Sequence, residues 1–278
     1  TRLKITQDHA DPGLAADLAA IQTEDPNWYV VTYPFPSKAV ITALDTFTEA
    51  NGLKIAICAT QDSDVAQLAV ANDTGGAQTI AGALLGAAFR TSLWYHAKSE
   101  EFIDAAIIGA RLWTNPGSES WAFAPLATVT VQPLTQTQRN NLIAKYVNFY
   151  ETIAGVNVTS NNGKVSGNEY IDVIRFRDWV QVTIQGAVVA ALIAAGQAGN
   201  KVPYTDLGIG AITQAIRGVL LQGVDVGGIT DGTILITFPL RKNVAPADKA
   251  SRTLNNVRFS CTLAGAIQAV NIQGVLVS

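Results

Sequence analysis

The sequence predicts a small parallel βαβ sheet domain, α/β in class, followed by an α+β domain of helices and C-terminal strands. Three observations predict it. Strand-like and helix-like segments alternate up to about Leu112, the pattern of right-handed crossovers between parallel strands. Two long apolar helical stretches follow one another between Tyr170 and Gly223. Short β-branched runs then close the chain. The implied domains are residues 1–130 and 131–278.

Each element has a local reason. Trp28 to Tyr33 is β-branched and aromatic and stops at Pro34-Phe35-Pro36, so it reads as a buried strand. Ser37 is a good N-cap, and Val40, Ile41, Leu44 and Phe47 recur at helical spacing until Asn51-Gly52. Leu53 to Ala59 is the next strand, Gln78 to Phe89 an Ala-rich helix, and Thr91 to His96 the third strand. Ser99, Glu100 and Glu101 open a helix through Ile103, Ile107 and Leu112.

Past Pro116-Gly117 the pattern changes. Thr135 or Thr137 caps a helix whose Leu142, Ile143, Tyr146, Val147, Tyr150 and Ile153 form one stripe closed by Gly155. Val156 to Gly167 is polar and hairpin-like, with the turn signal Asn162-Gly163. Tyr170 to Ala195 starts as a short strand or helix opening and becomes a nearly all-apolar helix, which must be covered on most sides. Pro203 and Thr205 open another, with Ile209, Ile212, Ile216, Val219 and Leu220 on one face and Gly223 at its end. Strands are expected at Thr233 to Pro239, Asn256 to Leu263 and Ala266 to Val277. No fixed-period repeat is present.

Composition narrows the function. Hydrophobic residues are 48% and charged residues only 15%, against roughly 25% charged in an average soluble domain, so some apolar surface is expected to meet a partner. The longest uninterrupted apolar run, Ala187 to Ala195, is nine residues, short of the roughly 18 that a membrane-spanning helix needs, and no membrane insertion is expected. Cys58 and Cys261 each sit in an apolar run and read as buried free thiols, which suits assembly in a reducing cytoplasm. The absence of Met and the start at Thr1 suggest that an N-terminal part has been removed. Residues 1–139 carry 8 Lys+Arg and 14 Asp+Glu, while residues 140–278 carry 11 and 8. That split suits head-to-tail packing, and cations scattered singly argue against nucleic acid as a partner.

Little in the chain reads as chemistry. Ligands of open parallel sheets sit beyond the carboxyl ends of the strands, here Tyr33-Pro34-Phe35-Pro36, Thr60-Gln61-Asp62-Ser63-Asp64 and His96-Ala97-Lys98-Ser99. None is followed by GxGxxG or GxxxxGK[ST], and Asn162-Gly163-Lys164 lacks the upstream glycine of a phosphate loop. Asp62 and Asp64 have no third ligand close by and read as capping residues. His96 is the sole candidate general base. No catalytic, cofactor-binding or metal-ligating residue is assigned, and no cofactor is implied. The alternative that stays open is a nucleotide- or metabolite-binding α/β enzyme domain, motivated by the open strand tips.

The order of features in the C-terminal half carries a resemblance. Glu169-Tyr-Ile-Asp-Val-Ile-Arg175-Phe-Arg177-Asp-Trp leads into the first long helix, and the second runs from Pro203-Tyr-Thr-Asp to Gly223-Val. Ala245-Pro246-Ala-Asp248 connects to Val257-Arg-Phe-Ser-Cys-Thr-Leu-Ala-Gly and the C-terminal strands. Asp11-Pro-Gly13, Asp25-Pro-Asn-Trp28-Tyr29, Gly117-Ser-Glu-Ser-Trp121-Ala-Phe123, Asn148-Phe-Tyr150-Glu-Thr and Gly155-Val-Asn-Val add to it. In these features the chain resembles the contractile tail sheath proteins of bacteriophages, and specifically a sheath-like phage family long of unknown function.

The resemblance implies a structural subunit, not an enzyme. Many copies would stack around an inner tail tube and contract to drive it through the host envelope. Implied partners are the protein itself, the inner tube protein, the baseplate and the tail terminator, with location in the virion tail after assembly in the bacterial host cytoplasm. In that family each subunit lends terminal segments to the strands of its neighbours. Carried onto this chain, the lent segment is Ala269 to Val277, with Val270, Ile272, Val275 and Val277 as interface residues, and an N-terminal arm is expected ahead of Thr1. Arg175, Arg177, Arg241, Lys242 and Arg258 are expected to meet acidic groups of a neighbour such as Asp8, Asp11, Asp17, Glu24 and Asp25.

Overall fold

The computed structural model describes residues 13–73, 78–160 and 163–270, and these fold as two compact units. The first takes the chain up to Leu112 and again Trp121–Ile171; the second takes Trp113–Ser120 and the chain from Asp172 onward.

In the first unit α1 (Leu14–Glu24) is followed by β1 (Val30–Val31), α2 (Lys38–Asn51) and β2 (Ile55–Thr60). Three short helices, α3 (Ser63–Gln67), α4 (Val70–Asp73) and α5 (Ile80–Leu84), lead to β3 (Thr91–Tyr95) and α6 (Ile103–Arg111). The strands lie in the order β1-β2-β3, with Val30 beside Ile55 and Ala56 beside Thr91, both pairs parallel. Every residue of β2 and β3 is buried, as expected for strands covered on both faces. Caps start the helices where the sequence puts them. Ser37 accepts from the Val40 amide at 3.2 Å, and Gly52, at φ 73°, closes α2 in the left-handed conformation that glycine tolerates.

The unit then continues past residue 130, where the sequence reading divided the chain. The chain at Asn148 lies parallel beside β3, with the Tyr95 amide donating to the Asn148 carbonyl at 2.7 Å and the Asn148 amide to the Leu93 carbonyl at 2.8 Å. Leu142, Val147 and Phe149 thereby join the core made by Leu44, Cys58 and Leu93.

The expected helix through Tyr150 and Ile153 is corrected here. Thr135 caps α7 (Gln136–Ala144) in a capping box with Gln138, but the helix stops before Tyr146, which sits at φ 57°. Residues Phe149–Ile153 are instead strand β4, paired antiparallel with β5 (Val156–Ser160). The turn between them is Ala154-Gly155, at φ 50° and 82°, so Gly155 serves a two-residue hairpin turn rather than a helix end. β-Branched and aromatic side chains here outweigh a stripe that happens to fit helical spacing. The Ala-rich helix of Gln78 to Phe89 is likewise reduced to the five residues of α5.

The second unit contains α8 (Ile171–Gln197), α9 (Asp206–Asp225), β6 (Leu235–Thr237), α10 (Pro246–Ala250) and β7 (Arg258–Ser260). Thr205 caps α9 through the Gly208 amide at 3.1 Å. Phe176, Val180, Ile216, Leu220 and Ile229 form the core, with Ile236 and Cys261 packed against it. Gly228 is required: a Cβ there would stand 2.5 Å from the Phe176 ring. Both helices are long and apolar enough to cross a membrane by length and composition, because α8 tolerates Gln181, Thr183 and Gln185 among its apolar residues. Counting uninterrupted apolar residues overlooks this. Only 6% of the most apolar window of α8 is buried, against 39% for α9.

Candidate functional site

The chemistry of the strand tips is used up within the first unit. The Asp104 carboxylate, 3% exposed, accepts from the Thr32 hydroxyl and, at 3.3 Å, from the Ala59 amide. His96 donates from Nε2 to the Thr130 carbonyl at 2.9 Å, and its Nδ1 accepts from the Lys98 amide at 3.2 Å. With both ring nitrogens engaged, the histidine serves the fold, in the tautomer those bonds require. Glu101 clasps the same loop, bonding Lys98 at 2.8 Å and the amide and hydroxyl of Thr130. The Lys98 ammonium first, and the Thr130 amide second, hold its carboxyl down at about 2. Asp62 accepts from the Asp64 amide at 3.0 Å and caps α3, as the capping reading of this pair expects. Burial pushes the Cys58 thiol well up, first by desolvation and then by Asp104. Cys261 is free as well but only half-buried, which corrects the expectation of two buried thiols.

The second unit holds the surface that needs a partner. From Trp179 to Gln197 α8 carries no charge, and Val182, Val189, Leu192 and Ile193 stand 50–54% exposed. Against β7, α8 forms a groove of about 470 Å³ lined by Arg177, Val180, Ile184, Phe259, Cys261 and Leu263. β6 and β7 make a two-stranded antiparallel sheet, Ile236 beside Phe259, and among the described residues neither outer edge has a backbone partner. A short sheet with open edges beside an apolar groove is a template for an added strand.

The cations expected at an interface divide into two groups. Arg175 is 7% exposed, and its guanidinium bonds Glu119 at 2.6 Å and the Thr114 hydroxyl at 3.2 Å within the same unit. It fixes the Trp113–Ser120 segment to α8 and is not available to a neighbour's carboxylate. Nothing in the sequence links Glu119 to a residue 56 positions later, so this pair was not legible there. Arg177, Arg241, Lys242 and Arg258 are exposed, and no ion pair among the described residues engages them. Arg177 lines the groove, Arg258 lies in β7, and Arg241 and Lys242 follow β6 in a single helical turn. Val270 is 72% exposed. The expected strand Ala266 to Val277 has no strand among residues 266–270, and Ile272, Val275 and Val277 lie outside the described residues. Of the acidic groups, Asp17, Glu24 and Asp25 are exposed at α1, while Asp8 and Asp11 lie outside the described residues.

Comparison with known proteins meets the resemblance read from the sequence. Residues 171–236, spanning α8, α9 and the start of β6, match the family described as E217 tail sheath protein gp31-like, C-terminal domain. The whole chain is similar in fold to a chain of the anti-feeding prophage baseplate, with a TM-score of 0.69 and 13% identity, covering 99% of this chain and 75% of that one. It is similar as well to the helical sheath of the same prophage in its contracted state, with a TM-score of 0.63 and 15% identity, covering 98% and 76%. No curated protein matches the sequence. What these likenesses show is the fold, mixed helices with small sheets, together with a tail sheath family match over residues 171–236.

Proposed function

We propose that the chain is a subunit of a contractile tail sheath that polymerises around an inner tube and contracts to drive the tube through a host envelope. The observation that carries this is the second unit's surface: a long helix, uncharged from Trp179 to Gln197 and left open over that stretch, beside a two-stranded sheet with open edges. Covering apolar area of that kind is favourable by roughly 25 cal/mol per Å², before the cost of lost rotational and translational freedom is subtracted. The family match includes α8 and ends within β6.

In this reading neighbours add strands to β6 and β7, with Ala269 to Val277 of another copy as one such strand. Strand addition holds subunits by main-chain hydrogen bonds, so contacts persist while the rest of each subunit rotates. Arg177, Arg241, Lys242 and Arg258 steer the neighbour's acidic groups into register. The work of contraction is the free-energy difference between two packings of the same subunits. Heterologous contacts whose rotation does not close build open helical arrays, which is the geometry a sheath needs. The inner tube, baseplate and terminator are its further partners in the virion tail, after assembly in the host cytoplasm.

Negative-stain electron microscopy of the purified protein tests the reading. Tubes or stacked rings are the expected result. Single particles of subunit size at every concentration and salt would count against it, and flotation with lipid vesicles would mean that lipid, not protein, covers α8.

A further inference from the structure

We propose that α1 of one copy docks into a second groove, on the C-terminal unit of the next copy. The identity of the partner as another copy rests on the sheath reading. This groove, of about 430 Å³, lies where the end of α8 meets the start of α9. Its floor is apolar, with Leu192, Val202, Ile209 and Ile212, and its lining also carries three cations, Lys201, Lys249 and Arg252. No ion pair among the described residues engages any of the three.

The backbone maintains this shape. A Cβ at Gly208 would stand 2.0 Å from the Pro203 carbonyl oxygen, so glycine alone lets the loop close down on the first turn of α9. Arg252 sits at φ 57°, a left-handed conformation that residues with a Cβ adopt rarely. An apolar floor rimmed by uncompensated cations fits an apolar side chain flanked by carboxylates.

α1 presents that face. Asp17, Ile21 and Glu24 fall at i, i+4 and i+7, on one side of the helix, and all three are exposed. Ile21 is 51% exposed, while Leu18, to one side of this stripe, is 3% exposed and anchors α1 in the core. No Lys or Arg lies between Lys4 and Lys38, so α1 itself carries acidic residues and no basic one. The two units carry opposite imbalances, 10 Lys+Arg against 15 Asp+Glu in the first and 9 against 7 in the second. Knob and groove are different surfaces, so the contact propagates head to tail.

The test pairs two proteins in a Cys261→Ser background, where the remaining native Cys58 is buried, one with Ile21→Cys and one with Leu254→Cys, a half-buried groove residue. Mild oxidation of the mixture is expected to give a covalent dimer that neither protein gives alone. Asp17→Lys with Glu24→Lys should cut its yield at least tenfold, and Lys249→Glu with Arg252→Glu on the groove partner should restore it. No dimer from the mixture, a yield indifferent to charge reversal, or capture of the groove cysteine by the inner tube protein in assembled tails would each overturn the proposal. Tubes without the crosslink would remove this contact and leave the sheath reading standing. Crosslinked dimers from a protein that never forms tubes would keep the contact and remove the sheath reading.

Discussion

Arg175 and Glu119 form a 2.6 Å ion pair whose side chains are 8% and 2% exposed, tying the Trp113–Ser120 segment to the first turns of α8. Removing one partner of a buried pair leaves the other as an uncompensated charge, which costs about 3–5 kcal/mol. Glu119→Ala should therefore destabilise the protein by about that amount, measured by denaturant unfolding, whereas Arg177→Ala on the exposed neighbour should change stability by less than about 0.5 kcal/mol.

A second buried pair sits in the other unit. Lys145 donates to Asp73 at 2.7 Å with both side chains fully excluded from solvent, and Asp73 also accepts from the Thr79 amide at 3.0 Å and hydroxyl at 2.7 Å. Burial by itself raises the Asp73 carboxyl, but the bonds from Lys145 and Thr79 outweigh it and leave the group below its ordinary value. Lys145→Met removes the counter-charge and should cost about 3–5 kcal/mol; Lys145→Met combined with Asp73→Asn should recover part of that loss in the same unfolding assay.

The Glu101 clasp on Thr130 gives a pH dependence. Its carboxyl is held at about 2, below an ordinary value of 4.5, so its contribution is complete above about pH 4.5 and is lost as pH falls toward 2. Hydrogen-exchange protection of the Thr130 amide should be flat from neutral pH to about 4.5 and fall below it. Glu101→Gln should show low protection across the whole range.

The Ala154-Gly155 turn is built with a residue poorly suited to it, since Ala154 adopts φ 50° with a Cβ. Ala154→Asn supplies the residue type that two-residue hairpin turns favour. It should raise stability by about 0.5–1 kcal/mol, read as an increase in the denaturant midpoint.

What the sequence disclosed follows from which forces are local. Ser37, Thr135 and Thr205 start their helices because capping is settled within three residues, and Gly52 stops α2 for the same reason. The apolar residues of Phe149 to Ile153 fit a helical stripe as well as a strand, and only pairing with Val156–Ser160 decides between them. A boundary near 130 does not coincide with the structure's compact units, because Asn148 lies alongside β3, a contact between residues more than 50 positions apart. Of the candidate interface, the four exposed cations were legible as unassigned charge. The commitment of Arg175 to Glu119 was not, and neither was the groove of Lys201, Lys249 and Arg252, since each depends on segments that meet only in the folded unit.

On the proposed function, the second unit's open surface is an assembly surface read partly by charge. Sedimentation and electron microscopy of the purified protein, beside the variant carrying Arg241→Glu and Lys242→Glu, put this to the test. We predict tubes or stacked rings from the parent protein, and assembly at least several-fold weaker in the variant at low salt, with the difference narrowing as salt screens exposed pairs. Equal assembly of the two proteins at every salt concentration would contradict the charge reading. Failure of the parent to assemble under any condition would contradict an assembly role for this surface.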